Sequence, residues 1–345
     1  MAPISVVIVD DSPSVRAVLR RFLGRTEDIR VLGEAADGVA ALEAVERLRP
    51  DVLLLDLVMP RLDGFAVLER LARAGGPPTV VLTSRADRAE VRAAFEALSA
   101  GAVELVPKPE DPDSWRHLSE TLPGVLRAAA ASAARPVAAV TAVAPPPQRP
   151  ETTATAVRWV ALGASTGGPA ALRDLLAALP RPLPVPVLVV QHIARGFEAG
   201  LADWLGSTLS LDVRVAVEGE RPGRGAVRIA PGGAHLRLGA DERLTLDPET
   251  PPRRGHRPSV DVLFESLAAV APRAVAAALL TGMGTDGAEG LLALRRAGAA
   301  CFAQDEASSA VWGMPRAAIE TGAADAILAP RAIGEELARR LKERG

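Results

Sequence analysis

Short apolar segments alternate with amphipathic segments along most of the chain. Runs of four to eight apolar residues are typical of buried strands, and apolar residues recurring every three or four positions are typical of helices. In the first 125 residues, this pattern predicts strands at 4–9, 30–35, 52–55, 79–82 and 103–106, and helices at 14–23, 39–48, 65–72 and 89–98. Five successive strand–helix units predict a doubly wound parallel sheet, whose functional groups lie at the carboxyl ends of the strands.

The same alternation resumes in the second half of the chain. It predicts strands at 157–162, 185–190, 213–217, 274–280, 300–303 and 326–328, and helices at 169–179, 197–209, 260–270, 287–297 and 331–342. The segment 226–246 contains the turn sequences Pro231-Gly232-Gly233 and Gly239-Ala240-Asp241. Such turns predict hairpins inserted into the second α/β domain.

A stretch dominated by Ala, Pro and Thr separates the two halves. It runs from about residue 128 to residue 155 and contains Pro145, Pro146, Pro147 and Pro150, which disfavour helix. Because long structureless stretches are uncommon inside a compact domain, a linker is favoured over a surface loop. We therefore predict one domain at 1–125, a linker at 126–155 and a second domain at 156–345.

Composition excludes several classes of protein. Of 345 residues, 48% are hydrophobic and 24% charged, and the net charge is −2, so nothing favours a nucleic-acid partner. The single cysteine, Cys301, excludes an internal disulfide. The beginning of the chain lacks a basic signal-peptide region, and the alanine-rich segment 128–144 is a poor membrane span. We expect a cytoplasmic protein without membrane insertion.

Several polar side chains follow predicted strands of the first domain. Asp10, Asp11, Asp56, Thr83 and Lys108 all fall at strand ends, so they converge on one edge of the sheet. Clustered carboxylates repel each other and suit Mg²⁺, which prefers oxygen ligands. Lys108 would neutralise one phosphoryl oxygen, the Thr83 hydroxyl would donate a hydrogen bond to another, and Asp56 could be the nucleophile. The alternative is that these aspartates are helix N-caps or solvated loop residues.

A second candidate site begins with the sequence Gly-x-Ser-x-Gly at 163–167, which follows a predicted strand and opens a helix. Flanking glycines allow a sharp turn that presents the hydroxyl of Ser165 as a nucleophile. A helix cap in a tight turn is the alternative. Of the four histidines, His192 ends the next strand and is the favoured base, whereas His117 is placed on a surface helix. His235 and His256 are favoured as structural or substrate-orienting residues but stay open.

The acid that would orient His192 has three candidates. Asp286 is favoured because its loop follows another strand, while Asp261 and Asp305 are competitors. The sequence 282–287 also matches the dinucleotide pattern G-x-G-x-x-G, with Asp305 lying 18 residues further on (305 − 287 = 18). Against that interpretation, Asp286 would place a negative charge where a pyrophosphate must bind.

The first domain resembles a response-regulator receiver domain. The resemblance rests on 8–12 (IVDDS), 55–60 (LDLVMP), 83–84 (TS) and 107–109 (PKP). It implies a flavodoxin-like fold in which Asp56 is phosphorylated by a histidine kinase. It also implies Mg²⁺ bound by Asp10, Asp11, Asp56 and the backbone carbonyl of Val58. Leu105 occupies a position that is aromatic in many receivers, which puts the usual aromatic-switch account of output in doubt.

The second domain resembles the catalytic domain of chemotaxis protein-glutamate methylesterases, the CheB family. The resemblance rests on 163–168, Gln191-His192, 256–261 (HRPSVD) and 280–287. It implies a Rossmann-like α/β esterase without a cofactor, with Ser165 as nucleophile, His192 as base and Asp286 as orienting acid. Thr166 and Met283 are then expected near the reacting carbonyl. Ile193-Ala194 departs from the Met-Pro found in many members.

The two resemblances together imply a phosphorylation-regulated hydrolase. Its expected substrates are glutamate methyl esters, and in many members glutamines, on the cytoplasmic helices of chemoreceptors. Its expected phosphodonor is a chemotaxis histidine kinase, and we expect a monomer. We predict that the unphosphorylated receiver covers the esterase cleft and that phosphorylation of Asp56 favours an open form. The alternatives are a receiver-coupled nucleotide-binding or interaction protein and, less favoured, a DNA-binding output.

Overall fold

A computed structural model describes residues 3–83, 88–109, 111–133 and 156–342. Contacts between Cα atoms divide the chain into two compact units, Met1–Pro136 and Val137–Gly345. Among the described residues, no helix combines the length and the apolar character needed to cross a bilayer.

The N-terminal unit is a five-stranded parallel sheet with helices between successive strands. The sheet order is β2-β1-β3-β4-β5, which is the flavodoxin-like order, so the predicted fold class is confirmed. The strands are β1 Ile4–Val9, β2 Ile29–Ala35, β3 Val52–Asp56, β4 Thr79–Thr83 and β5 Ala102–Pro107. The helices are α1 Pro13–Leu23, α2 Gly38–Leu48, α3 Gly64–Ala74, α4 Arg88–Ser99 and α5 Pro112–Ala133.

Helix α5 continues past the predicted end of the first domain at residue 125. Its buried face carries Leu118, Leu122, Leu126 and Ala129, which pack on the core of the sheet. Residues 126–133, placed in the linker by the sequence analysis, therefore belong to this helix, because the helical spacing of buried residues continues into the alanine-rich segment. The rest of the predicted linker, 134–155, lies outside the described residues.

The C-terminal unit is a seven-stranded parallel sheet in the order β14-β13-β12-β6-β7-β9-β8, with a separate antiparallel hairpin, β10-β11. The strands are β6 Trp159–Ala164, β7 Val187–Gln191, β8 Asp212–Val215, β9 Ala226–Ile229, β10 His235–Leu238, β11 Leu244–Asp247, β12 Val275–Leu279, β13 Ala300–Gln304 and β14 Ala326–Leu328. The helices are α6 Gly168–Ala177, α7 Glu198–Leu209, α8 Val260–Val270, α9 Ala288–Ala297, α10 Met314–Glu320 and α11 Pro330–Lys342.

Two local predictions for this unit need correction. Hairpins were predicted throughout 226–246, but only β10 and β11 form one, and β9 joins the main sheet in parallel with β7 and β8. All four residues of β9 are buried, as is usual for a strand inside a parallel sheet. Helix α10 was not predicted, because its seven residues are too few for a clear amphipathic period.

The strand order brings three chain segments together at one edge. Strand β6 lies between β7 and β12, and the chain leaves β6 toward β7 and enters β12 only after β11 and α8. The boundary between β6 and β12 is thus a point where the strand order reverses direction. In open α/β sheets, such points form crevices at the carboxyl ends of the strands. The loops after β6, β7 and β12 begin there.

Candidate functional sites

The acidic residues of the N-terminal unit meet at the carboxyl edge of its sheet. Asp10 follows β1 and Asp56 ends β3, and one carboxylate oxygen from each of Asp10, Asp11 and Asp56 lies within 4.8 Å of the others. The Nζ atom of Lys108, which follows β5, lies 2.9 Å from Asp10 Oδ2 and 2.6 Å from Asp56 Oδ2. The structure thus brings the predicted acids and the predicted lysine into one cluster.

Burial and charge act in opposite directions on this cluster. Burial raises the pKa of Asp56 and the charge of Asp10 adds to the rise, although Lys108 opposes it. Burial disfavours the charge on Lys108, but its hydrogen bonds to Asp56 and Asp10 raise its pKa above the ordinary value. Two buried acids therefore share one cation. Three hard oxygen donors of this kind fit a divalent ion such as Mg²⁺.

The remaining predicted residues surround the cluster. Thr83 is buried at the end of β4, and its carbonyl accepts a hydrogen bond from the backbone N–H of Lys108 at 2.7 Å. The backbone N–H of Val58 donates to Asp56 Oδ1 at 3.3 Å, while the Val58 side chain is exposed. Leu105 is half-buried on β5.

Sequence reasoning missed Arg16. Its Nη1 atom donates to the backbone carbonyls of Asp10 at 2.7 Å and of Asp11 at 3.2 Å, and its Nε donates to Glu34. Arg16 therefore holds the loop that carries two of the acids. A basic residue in the second turn of the helix after the acidic pair was the only sequence signal for it.

Ser165 directly follows β6, and α6 begins three residues later. It is half-buried, and its backbone N–H donates to the carbonyl of Thr281 at 2.9 Å. Gly167 caps α6 with a left-handed backbone (φ +75°), and a Cβ atom there would lie 2.5 Å from the Cβ of Ala310. Only glycine satisfies both conditions, so this turn depends on the residue.

His192 and Asp286 form a hydrogen-bonded pair next to Ser165. The distance between His192 Nε2 and Asp286 Oδ2 is 2.8 Å, and the backbone N–H of His192 donates to Ala164, the residue before Ser165. His192 Nδ1 is buried and has no hydrogen-bond partner within the described ranges, Ser165 included. Nδ1 is therefore the nitrogen left to accept a proton. Catalytic hydrogen bonds often tighten only when substrate binds.

The carboxylate of Asp286 sits at the start of α8. It accepts hydrogen bonds from Ser259 Oγ and from the backbone N–H of Val260, both at 2.7 Å, and from the N–H of Asp261 at 3.2 Å. Burial opposes its charge, but hydrogen bonds from His192, Ser259 and Val260 hold the pKa of Asp286 well below its usual range. The helix N-terminus favours the same ionised form.

The two competing acids have other partners. Asp261 accepts a hydrogen bond from the backbone N–H of Gly290 at 2.7 Å, and its Oδ2 lies 3.4 Å from Arg254 Nε. Burial, together with the charge of Asp286, raises the pKa of Asp261 to about 6. Asp305 caps a turn by accepting the N–H of Ser308 at 2.8 Å. The acid that accepts the hydrogen bond from His192 is thus Asp286.

The other three histidines lie in three different environments. Nδ1 of His235 accepts the backbone N–H of Ser259 at 3.2 Å, and its Nε2 lies 3.2 Å from the carbonyl oxygen of Pro251, so its role is structural. His117 lies on α5 of the N-terminal unit. His256 stacks on His192, with ring centroids 3.8 Å apart and an angle of 3° between the ring planes.

The glycine-rich loop after β12 lies against the serine. A Cβ atom at Gly282 would lie 2.6 Å from the Cβ of Ser165, and the adjacent Met283 is 58% exposed. The carbonyl of Thr166 accepts a hydrogen bond from Thr281 Oγ1 at 2.9 Å. This loop directs Asp286 toward His192, which gives no support to the interpretation as a dinucleotide fingerprint.

The sequence analysis assigned no role to two residues that support this site. Gln191 is buried, and its Nε2 donates to the carbonyls of Ser165 at 2.7 Å and of His192 at 2.9 Å. Ser259 binds Asp286 and also caps α8 by accepting the N–H of Val262. A serine directly before an apolar helix is a capping signal, but that signal does not reveal the acid it holds.

Comparison with known proteins gives two family matches. The model of the CheB methylesterase family matches residues 160–337, and that of the response regulator receiver domain matches residues 6–119. A protein-glutamate methylesterase/protein-glutamine glutaminase 3 of Anaeromyxobacter dehalogenans (strain 2CP-C) is 42% identical over 341 residues, covering 97% of this chain and 98% of that protein.

Two further comparisons agree with these matches. A protein-glutamate methylesterase/protein-glutamine glutaminase 2 of Bordetella avium (strain 197N) is 41% identical over 351 residues, covering 100% of this chain and 99% of that protein. The crystal structure of the Thermotoga maritima CheB methylesterase catalytic domain is 37% identical, with a TM-score of 0.51, and covers 54% of this chain and 99% of that one.

Proposed function

The chain belongs to the CheB methylesterase family and is a receiver-linked protein-glutamate methylesterase and protein-glutamine glutaminase, and we propose that Ser165, His192 and Asp286 catalyse its hydrolysis. The observation that carries this assignment is the 2.8 Å bond between His192 Nε2 and Asp286, with the second ring nitrogen left without a partner among the described residues. We propose that the receiver comprises residues 1–125 together with the end of helix α5 up to Ala133, and that the catalytic domain comprises residues 156–345.

The proposed reaction is acyl transfer through serine. Ser165 Oγ attacks the carbonyl carbon of a glutamyl methyl ester, and His192 Nδ1 takes the hydroxyl proton. Asp286 keeps the remaining proton on Nε2 and stabilises the imidazolium that forms. The dipole of α6, whose N-terminus lies beside Ser165, favours the developing oxyanion. The bond between the carbonyl carbon and the methoxy oxygen then breaks, and His192 gives its proton to that oxygen, which leaves as methanol.

Water completes the cycle by hydrolysing the acyl-enzyme. His192 Nδ1 takes a proton from the water, whose oxygen bonds to the acyl carbon, and Ser165 leaves with that proton. A glutamine side chain presents the same carbonyl with ammonia as the leaving group. One site thus serves both reactions, with the cytoplasmic helices of a chemoreceptor as the proposed substrate.

The assignment is tested by methanol release from methylated receptor membranes. The variant Ser165→Ala should lose about 10⁴-fold or more in kcat, because no other group replaces the nucleophile. The control is Ser207→Ala at an exposed position of α7, which makes the same change in the same unit and should retain wild-type activity. Wild-type methanol release by Ser165→Ala would refute the mechanism.

We propose that the acidic cluster regulates this activity. Asp10, Asp11, Asp56 and the Val58 carbonyl would hold Mg²⁺, which offsets the charge of the phosphoryl group during transfer. An oxygen of Asp56 attacks the phosphorus of a phosphohistidine on a histidine kinase, and the phosphorus–nitrogen bond breaks. Lys108, already between Asp10 and Asp56, neutralises the resulting acyl phosphate. Phosphorylation then raises esterase activity.

The regulatory proposal predicts a response to a small phosphodonor. Acetyl phosphate with Mg²⁺ should raise the rate of methanol release by about 5- to 150-fold, the usual range of coupling between sites. Asp56→Asn should abolish this response while keeping the basal rate. The matched control, Asp113→Asn on the exposed face of α5, should respond like the wild type. An equal response in Asp56→Asn, or none in the wild type, would contradict the proposal.

A further inference from the structure

The reaction described above uses only one of two histidines that lie in contact. The imidazoles of His192 and His256 stack face to face, with centroids 3.8 Å apart and ring planes within 3° of parallel. At this separation the two rings are in van der Waals contact, so the orientation of His192 depends on the ring beside it.

A tight turn holds His256 in place. Arg253 and His256 exchange two backbone hydrogen bonds of 3.0 and 2.9 Å, and both residues between them, Arg254 (φ 51°) and Gly255 (φ 84°), have left-handed backbones. Two successive left-handed residues are the geometry of the tightest hairpin turns. The turn therefore fixes the backbone position from which the His256 side chain extends.

Ion pairs anchor this turn to two helices. Arg253 lies 2.6 Å from Glu265 on α8 and 3.1 Å from Glu289 on α9, and Arg254 lies 2.7 Å from Glu289. The chain then continues directly into Ser259 and the start of α8, which bind Asp286. One short segment thus contacts both the base and the acid of the catalytic set.

We propose that His256 is a positioning residue whose ring, stacked on His192, holds the base in the plane in which Nε2 meets Asp286 and Nδ1 stays available to Ser165. This inference rests on the proposed function and adds a fourth side chain to its site. His256 transfers no proton in this scheme, because it acts through the orientation and the charge balance of His192.

The charges around His256 agree with a neutral ring. Burial and the positive charge on His192 lower the pKa of His256 to about 4, and Asp286 offsets this only in part. The guanidinium groups of its own turn are engaged by Glu265 and Glu289, and that of Arg257 by the carbonyl of Pro248. Near neutral pH, the face of an uncharged aromatic ring therefore meets the imidazolium that forms on His192, and such a face attracts a cation.

Three substitutions of His256 in the full chain distinguish the effect of its flat ring from the effects of its polarity and its ability to bind a proton. His256→Phe keeps a flat ring but cannot bind a proton, His256→Gln keeps polarity without a ring, and His256→Ala removes both. With methylated receptor membranes near neutral pH, we expect His256→Gln and His256→Ala to lose about 10- to 100-fold in kcat, the usual cost of a misplaced catalytic group. The KM of these two variants should change less than about twofold. The variant His256→Phe should keep most of the wild-type kcat.

A second readout does not depend on the natural substrate. The rate at which a fluorophosphonate labels Ser165 reports the reactivity of the nucleophile alone, and it should follow the same order among the variants. Thermal unfolding of each variant identifies any that fails to fold, and the comparison of His256→Phe with His256→Gln then decides without His256→Ala.

The possible outcomes are distinct. Recovery in His256→Phe together with loss in folded His256→Gln supports positioning by stacking. Equal loss in folded His256→Phe and His256→Gln, or wild-type kcat in His256→Gln, overturns it. If the wild type is labelled no faster than Ser165→Ala and releases no methanol, the proposed function itself fails, and this inference fails with it.

Discussion

Asp56 in the N-terminal unit and Asp286 in the C-terminal unit occupy similar places but behave in opposite ways. Each lies at the carboxyl edge of a parallel sheet, and each is at most 3% exposed. Burial raises the pKa of Asp56, whereas the pKa of Asp286 is well below its usual range in spite of burial. The same side chain in two similar folds is thus prepared for two different tasks.

The difference comes from the partners of each carboxylate. Asp286 receives hydrogen bonds from His192, from Ser259 and from backbone N–H groups at the start of α8. Asp56 shares the single ammonium of Lys108 with Asp10. A carboxylate held by fixed donors stays ionised, while one of two acids sharing a cation gains from a further positive ion.

The largest effect is expected when Asp286 loses its charge. Asp286→Asn keeps the size of the side chain but cannot stabilise the imidazolium or fix the tautomer of His192, so kcat for methanol release should fall by about 10⁴-fold. The matched control is Asp305→Asn in the turn after β13, which should stay within about twofold of wild type. A loss smaller than tenfold in Asp286→Asn would remove the contrast between the two regions.

An effect of intermediate size is expected for a substitution of Asp261, which lies beside Asp286. Burial is the main reason why the pKa of Asp261 is raised to about 6. Because this value lies above the unfolded-state value of 3.8, its contribution to stability is complete below about pH 4 and is lost as pH rises through about 6. The variant Asp261→Asn does not lose this stability as pH rises, because asparagine has no carboxyl group to ionise. Its free energy of unfolding relative to wild type should therefore rise between pH 4 and pH 8, by on the order of 2–3 kcal/mol.

Chemical denaturation of the full chain at several pH values measures this difference. Tryptophan fluorescence follows mainly the C-terminal unit, which contains Trp159, Trp204 and Trp312, whereas Trp115 is in the other unit. A difference between the two proteins that stays constant with pH would show that folding does not change the pKa of Asp261.

The smallest effect is a change in stability expected for Asp56→Asn, and its sign is opposite to that of the change expected for Asp286→Asn. In buffer with a metal chelator, Asp56→Asn removes a buried charge that Asp10 repels, so the N-terminal unit should become slightly more stable. Asp286→Asn should instead destabilise the C-terminal unit, because its charge is favoured there. Hydrogen exchange of the amides of β1, β3, β6 and β12 measures both changes, and equal signs would contradict the comparison.

Much of the fold could be predicted from the pattern of apolar residues. The strands Ile4–Val9 and Ala326–Leu328 and the helix Val260–Val270 agree with the sequence prediction at both ends. Their ends lie close to polar or turn-forming residues, which mark the boundaries in the sequence. The short helix α10 and the strand β9 were missed or misassigned, because a few residues carry too little period to separate a strand of the main sheet from a hairpin.

The sequence predicted most of the candidate site residues but few of the residues that hold them in position. Asp10, Asp56, Ser165 and His192 lie at or directly after strand ends, so a prediction of the strands already brings them to a sheet edge. No role was predicted for Arg16, Gln191 or Ser259, because arginine, glutamine and serine are common in such positions for ordinary reasons. Their roles depend on which carbonyl or carboxylate they reach.

By itself, then, the order of residues determined two alternating α/β domains and the chemical groups at the ends of their strands, since both follow from local periods. Only the tertiary structure decided which acid meets His192, which ring nitrogen stays free to take a proton, and which histidine stacks on the base. His192 and Asp286 are 94 positions apart, and Ser259 and Asp286 are 27 apart. Contacts at such separations depend on how sheet and helix pack, which no local pattern encodes.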